Sequence, residues 1–285
     1  MTPPLLYAVE ANGPRELAVP AGAAGFDALY EDLTLGVYSA LRTYQHRKFL
    51  DLEHHLARTR QSMQRLGWDY AWDEARLRRC LDQVCTASPF VEMRVRFDVL
   101  AAPASARGSD SRELIALAPF CAPPREVYAR GVAVITTAAI QRDDPLTKSA
   151  HFVQRRKSLE LATPGAYELL IVGADGAVLE GFSSNFYVVR AGVLRTAGHG
   201  VLEGVTRRIV LDLARARGIA VDLTPPRAGE LARADEAAIS SSSRGLVPVV
   251  RIDGAAVGSG LPGPVIGSLS ADYEAYVAQA VRIAV

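Results

Sequence analysis

What this sequence has little of narrows it first. Lysine is nearly absent: of the 32 basic residues only Lys48, Lys148 and Lys157 carry an amine, and the rest are arginines. Cysteine is scarce, and Cys80, Cys85 and Cys121 form neither a CxxC pair nor a Cys/His ligand spacing, so neither a disulfide framework nor a zinc site is indicated and no metal is expected. No stretch approaches the roughly 18 consecutive apolar residues of a membrane span. The first 22 residues have Pro, Glu and Arg scattered through them where a signal peptide needs a continuous apolar core. Neither sign of charge dominates: 32 basic against 31 acidic residues leave a net charge of +1, so no global field recruits nucleic acid or an anionic membrane. Together these absences predict a cytoplasmic protein with no nucleic-acid or membrane partner. What is present is ordinary: 285 residues, 49% apolar, can bury a proper core in one large domain or two moderate ones.

Taken in order, residues 5–20 alternate weakly as an opening strand and turn. Leu35 to Tyr44 and Phe49 to Leu52 read as two strands joined by the polar turn at Gln45-His46-Arg47-Lys48. Leu56, Met63 and Leu66 recur at helical spacing, placing Arg58 in the first turns of a helix, and residues 73–84 predict a second one. Residues 91–100 alternate as a half-buried strand, and 113–117 as another. Prolines at 119, 123 and 124 interrupt any regular element and suggest a linker between domains. Beyond it the pattern predicts a strand at 132–137, a helix at 149–162, and a hairpin from Tyr167 to Glu180 with a type I′ turn at Asp175-Gly176. A second hairpin around Ala191-Gly192, a helix opened by Gly204-Val205-Thr206, strands at 219–223, 236–240 and 247–252, and a closing helix at 269–283 follow. The expected fold is α+β in two domains: a smaller N-terminal α/β domain (1–117), a linker (118–128), and a larger C-terminal domain (129–285).

Chemistry concentrates between Lys148 and Asn185. An amine nucleophile needs a site that lowers its pKa by desolvation or nearby positive charge. Lys48 falls in a turn expected to be solvated, and Lys157 lies beside Arg155 and Arg156 on a basic helix face. Lys148 sits at a loop edge before a helix, where reactive groups tend to lie. Glu180 follows the apolar run Ala177-Val178-Leu179, and a carboxylate buried there needs a cationic partner: an arginine, or the pyridinium nitrogen of pyridoxal phosphate. An anion seat is offered twice, by the backbone N–H groups and hydroxyl of Gly204-Val205-Thr206 at a helix start, and by Ser240-Ser241-Ser242-Ser243-Arg244 between two strands. Arg58 could add a fork of donors. For a substrate carboxylate the candidates are Arg244 and the alternating pair Arg94 and Arg96, with Ser243 beside the first and Tyr38 as a pocket wall.

These segments together resemble the class IV pyridoxal-phosphate aminotransferases, the family of branched-chain and D-amino acid aminotransferases and aminodeoxychorismate lyase. The resemblance rests on Gly36-Val37-Tyr38, on Phe49, Leu52, His55-Leu56 and Arg58, on Lys148, and on Glu180-Gly-Phe-Ser-Ser-Asn185. It continues through Leu202-Glu-Gly-Val-Thr-Arg207, Ala234-Asp235-Glu236, Ser240 to Val249 and Gly258 to Pro264. It implies a fold-type IV homodimer with pyridoxal 5'-phosphate between the two domains. It implies Lys148 as Schiff-base lysine and proton shuttle, Glu180 on the pyridinium nitrogen, and Arg58, Ser184, Asn185, Gly204, Val205, Thr206 and Ser242 around the cofactor. The chain departs from the usual pattern at Ser39, at His151-Phe152 and at Arg244.

The expected activity is ping-pong amino transfer from a branched-chain or other apolar amino acid to a 2-oxo acid such as 2-oxoglutarate. On the same scaffold the alternatives are a D-amino acid or (R)-amine transaminase, aminodeoxychorismate lyase, and a non-catalytic small-molecule-binding protein. The simultaneous presence of Lys148 and Glu180 weighs against the last, since a binder needs neither.

Overall fold

Burial alternates residue by residue along Val37–Tyr44, and this strand anchors the first of two units into which the chain divides. In the computed structural model, residues 2–23, 25–163 and 165–283 are described. Met1, Ala24, Pro164, Ala284 and Val285, which fall within the expected domain spans, lie outside the described residues. The first unit runs to Cys121 and includes Thr147–Val153 and the C-terminal end from Ala280; the second comprises Ala122–Leu146 and Gln154–Gln279.

The first unit is built on β1 (Leu5–Glu10), β2 (Gly13–Leu17), β3 (Val37–Tyr44), β4 (Lys48–Phe49), β5 (Met93–Val99) and β6 (Glu113–Pro119). They form a sheet in the order β2-β1-β6-β5-β3-β4 with every pairing antiparallel. Helices α1 (Leu52–Arg65) and α2 (Glu74–Ala87) supply Leu56, Leu77, Leu81 and Val84 to a core shared with Val95, Phe97, Ile115 and Leu117. A separate core gathers Leu6, Leu29, Leu100 and Leu114. Asp73 caps α2 by accepting the Arg76 N–H at 2.9 Å, which satisfies one of the donors a helix start leaves free. Lys48, expected to be solvated, is instead part-buried in β4 and donates to the Val281 carbonyl at 2.8 Å.

The second unit contains α3 (Arg125–Arg130), β7 (Val132–Thr137), most of α4 (Ala150–Ala162), β8 (Glu168–Val172), β9 (Val178–Gly181), β10 (Asn185–Arg190) and β11 (Val193–Arg195). It continues with α5 (Val205–Ala216), β12 (Val221–Asp222), β13 (Glu236–Ser241), β14 (Gly245–Ile252), β15 (Ala255–Ala256) and most of α6 (Pro264–Ile283). The strands β10-β13-β14-β7-β8-β9 close into a six-stranded barrel, because β9 pairs back to β10 at Glu180 and Asn185. Val134, Leu170, Val178, Phe186, Ile239 and Val247 belong to its core. The fold is thus a mixture of helix and strand with a closed barrel in the C-terminal part, as the fold-type IV reading requires. Barrel closure falls on buried Glu180 and Asn185.

Three local expectations change. Asp175 is not among the described non-glycine residues with positive φ, and Gly173 C=O accepts from Gly176 N–H. The β8–β9 loop is therefore a type I-like turn followed by a left-handed Gly176, not a type I′ turn. The I′ signature belongs to the next hairpin, where Ala191 and Gly192 both have positive φ. In the expected linker, β6 extends to Pro119 and α3 begins at Arg125, directly after Pro124. Helix α6 starts at Pro264, five residues before the predicted Leu269, since proline at the first helical position lacks a donor the helix does not need there. Among the described residues no helix is long and apolar enough to cross a membrane.

Candidate active site

In the first unit Lys148 is held by its backbone against the start of β3. Its N–H donates to Ser62 Oγ at 3.2 Å, its carbonyl accepts from Tyr38 N–H at 3.1 Å, and Ala150 N–H donates to Gly36 C=O at 2.9 Å. Gly36 is required here, because a Cβ would collide with the Val99 carbonyl. The Lys148 amine, half-buried, lies 4.8 Å from the centre of the Tyr38 ring. By contrast Lys157 is exposed on α4.

Arg58 is buried on α1 and donates from Nη2 to Ser39 Oγ at 3.3 Å, with His55 Nδ1 3.4 Å from the same nitrogen. Ser39 Oγ also lies 3.3 Å from Thr59 Oγ1. Burial, then the charges of Arg58 and Lys148, hold the His55 imidazole well below its usual 6.5. His55 is therefore neutral in the folded chain. As the pH falls below 6.5 the unfolded chain binds a proton that the folded chain refuses, so stability is lost until the depressed folded pKa is reached. Denaturant unfolding between about pH 7.5 and 5 is expected to show this loss, and His55→Gln to flatten it. An unaltered slope in the variant would contradict a buried neutral His55.

In the second unit Glu180 is 2% exposed at the end of β9. Its Oε1 lies 2.5 Å from Arg142 Nε, and its Oε2 accepts from Leu202 N–H at 3.1 Å and Asn185 Nδ2 at 3.4 Å. Asn185 Nδ2 also donates to the Leu202 carbonyl at 2.8 Å, and a Cβ on Gly204 would collide with Asn185 Oδ1. Glu180, Asn185 and the start of α5 are consequently one cluster. Gly204 caps α5 without a side-chain hydrogen bond, Val205 is buried behind it, and Thr206, 2% exposed, has a hydroxyl with no hydrogen-bond partner among the described residues. A buried orphan hydroxyl beside free helix N–H groups is what an anion would satisfy.

A second cluster joins the β9–β10 turn to the β13–β14 turn. Buried Glu168 Oε2 accepts from Ser183 Oγ at 2.7 Å, Ser184 Oγ at 3.1 Å and Arg244 Nη2 at 2.9 Å. Arg244 Nη2 also donates to Ser183 Oγ at 2.7 Å, and its Nε to Ser241 Oγ at 3.1 Å. Ser242 and Ser243 are half-buried in the same turn. Of the three candidate carboxylate receptors, Arg244 is thus engaged with Glu168, Arg96 is engaged with Asp98, and Arg94 is exposed with its guanidinium over Phe26.

The sequence reading gave no role to Arg142, Glu168, Asp98 or His55, the last of which it named only as part of the resemblance. A signal was available for two of them: Glu168 heads the apolar strand Leu169-Leu170-Ile171-Val172, and Asp98 stands two residues from Arg96 on a strand, hence on its face. Arg142 lies in a loop, where nothing in the pattern points to Glu180.

The family model described as amino-transferase class IV matches residues 36–252. The chain is 30% identical over 242 residues to the D-alanine aminotransferase of Bacillus licheniformis, covering 80% of this chain and 83% of that one. It is 29% identical over 260 residues to a protein of Thermotoga maritima described as "Probable branched-chain-amino-acid aminotransferase", covering 88% and 90% of the two chains. Its fold matches that of the branched-chain amino acid aminotransferase of Thermobaculum terrenum in its PLP form, with a TM-score of 0.76, 23% identity and coverage of 97% and 94%. The corresponding Escherichia coli enzyme gives a TM-score of 0.72 at 22% identity, over 87% and 86% of the chains. The chain belongs to the class IV aminotransferases; it is an enzyme, and the cofactor of its family is pyridoxal phosphate. The residues present fit that group: a buried carboxylate suits a pyridinium nitrogen, and the uncapped α5 start with its orphan Thr206 hydroxyl suits a phosphate.

Proposed function

We propose that this enzyme moves an amino group from an apolar amino acid to a 2-oxo acid by a ping-pong sequence, with Lys148 as the amine that carries the cofactor and moves the substrate proton. The observation that carries this reading is the cluster in which buried Glu180 adjoins the α5 N-terminus and its partnerless Thr206 hydroxyl. When bound, pyridoxal phosphate supplies an aldehyde carbon that takes up the amine and a ring that accepts the electrons released at Cα. Glu180 would hold the proton of the ring nitrogen, and Gly204, Val205, Thr206 and Ser242 would hold the phosphate; Ser184 and Asn185 fix the turn that carries Glu180. The Lys148 amine would take the proton from the substrate Cα and hold it for return. The Tyr38 ring lies beside that amine. A homodimer is the proposed assembly, on the resemblance to the family.

A D-amino acid donor is the second reading, supported by the 30% identity to a D-alanine aminotransferase over 80% of the chain. A donor screen with both enantiomers of alanine and leucine, scored by keto-acid formation in the presence and absence of an acceptor, separates these readings. Acceptor-dependent turnover of one enantiomer is the expected result. Pyruvate released from aminodeoxychorismate without any acceptor would make the enzyme a lyase and sink the transfer reading.

A further inference from the structure

Between the β1–β2 hairpin, the start of α2 and the loop that leads into β6, the first unit holds a cavity of about 650 Å³ that shares no lining residue with the Lys148 or Glu180 clusters. Most of the charge around it is already paired. Arg15 Nε donates to Glu10 at 2.8 Å, and Ser109 Oγ donates to the same carboxylate oxygen at 3.0 Å. Arg76 Nη2 and the Tyr70 hydroxyl each donate to one oxygen of buried Glu113 at 2.9 Å. Two lining groups of opposite sign are left over, because neither Arg112 nor Asp110 carries an ion pair among the described residues. Half-buried Arg112 is nonetheless held in place: its Nε donates to the Leu100 carbonyl at 2.7 Å, and the rings of Trp68 and Tyr70 lie 5.0 and 4.4 Å from its guanidinium carbon. Its two Nη groups make no hydrogen bond to a described residue, so a pre-set fork is open to a ligand.

We infer that this cavity is a non-catalytic binding site for a free α-amino acid, whose carboxylate takes the Arg112 fork and whose ammonium faces Asp110. Its size is within the range that small ligands occupy. A purely anionic ligand would meet Glu10 and Asp110, and a simple amine would meet Arg112; a ligand with one charge of each sign answers both unpaired groups. Asp110 and Arg112 stand two residues apart in the chain, so their Cα atoms are separated by at most about 7 Å. That short span suits charges on neighbouring carbons, as in an α-amino acid, and not charges at the two ends of a long chain. Val9, Ala11 and Pro103 give the wall an apolar part for the ligand's side chain. An aminotransferase turns over this class of molecule, so the ligand is one that the enzyme always meets.

The test titrates the borohydride-reduced holoenzyme, in which Lys148 is no longer free to react, with 2-aminoisobutyrate in a calorimeter. This probe has no Cα proton to lose. Saturable binding is expected, favoured about threefold to fivefold over isobutyrate, which lacks the ammonium, as one exposed ion pair supplies. Arg112→Gln is expected to weaken it by about tenfold or more, the worth of hydrogen bonds to a charged group. Exposed Asp110 gives a second variant that spares the fold: Asp110→Asn is expected to erase the preference over isobutyrate at an unchanged melting temperature. No binding, equal wild-type affinity for isobutyrate, a folded Arg112→Gln protein that binds as before, or an Asp110→Asn protein that keeps the preference would each overturn the inference. A protein that takes up no pyridoxal phosphate would contradict the proposed function instead, and the same titration of the cofactor-free chain would then decide the role of the cavity.

Discussion

Replacing Lys148 by alanine is expected to lower the rate of amino transfer by about a thousandfold or more while leaving the fold intact, because a positioned proton-transfer group contributes on the order of 10²–10⁴ and the covalent role of the amine is lost with it. The bonds that seat this residue are backbone bonds, from its N–H to Ser62 Oγ and to its carbonyl from Tyr38 N–H, and they survive truncation of the side chain. Single-turnover kinetics and a melting curve of the variant check both halves. With only three lysines in the chain, the control is simple. Lys157, exposed on α4, is expected to tolerate the same substitution without loss of rate. Residual turnover of Lys148→Ala within tenfold of the wild type would remove it from the chemistry.

Glu180→Ala is expected to act on stability before it acts on activity. The carboxylate is 2% exposed and 2.5 Å from Arg142, and removing one partner of a buried ion pair costs about 3–5 kcal/mol. At about 2–4 °C per kcal/mol for a chain of this size, the melting temperature of the cofactor-free protein is expected to fall by roughly 6–20 °C. Glu180→Gln keeps the shape and the acceptor for the Leu202 N–H, and is expected to lose less stability while weakening cofactor retention, which equilibrium dialysis measures. Equal melting temperatures for wild type and Glu180→Ala would mean that the Arg142 pair contributes nothing.

How far the molecule was legible in its sequence depended on the range of the interaction. Alternation and helical spacing are local, and they placed β3, α1, β5, α5 and most of the barrel strands. Lys148 and Glu180 stood out because scarcity marked one and an apolar run marked the other. Helix α3, six residues long, is too short for its periodicity to register, and the proline-rich run before it looked like linker alone. The Asp175-Gly176 pair signalled a hairpin correctly but not its turn, because Ala174 ahead of them makes the loop three residues long and allows a right-handed turn with Gly176 alone left-handed. Partners across the fold left no trace: Arg142 on Glu180, Glu168 on Arg244, and Arg58 on Ser39 are brought together by tertiary packing. The Arg96–Asp98 pair is the exception, since two residues apart on a strand is a local spacing, yet alternation by itself does not tell a mutual ion pair from two groups awaiting a ligand.

The central claim is that Lys148 carries the cofactor. It is tested most directly by reducing the pyridoxal-phosphate-loaded protein with borohydride and mapping the modified peptide by mass spectrometry. The account predicts one modified residue, Lys148, with Lys48 and Lys157 unmodified. Modification at either of those two, or a protein that takes up no pyridoxal phosphate, would contradict it.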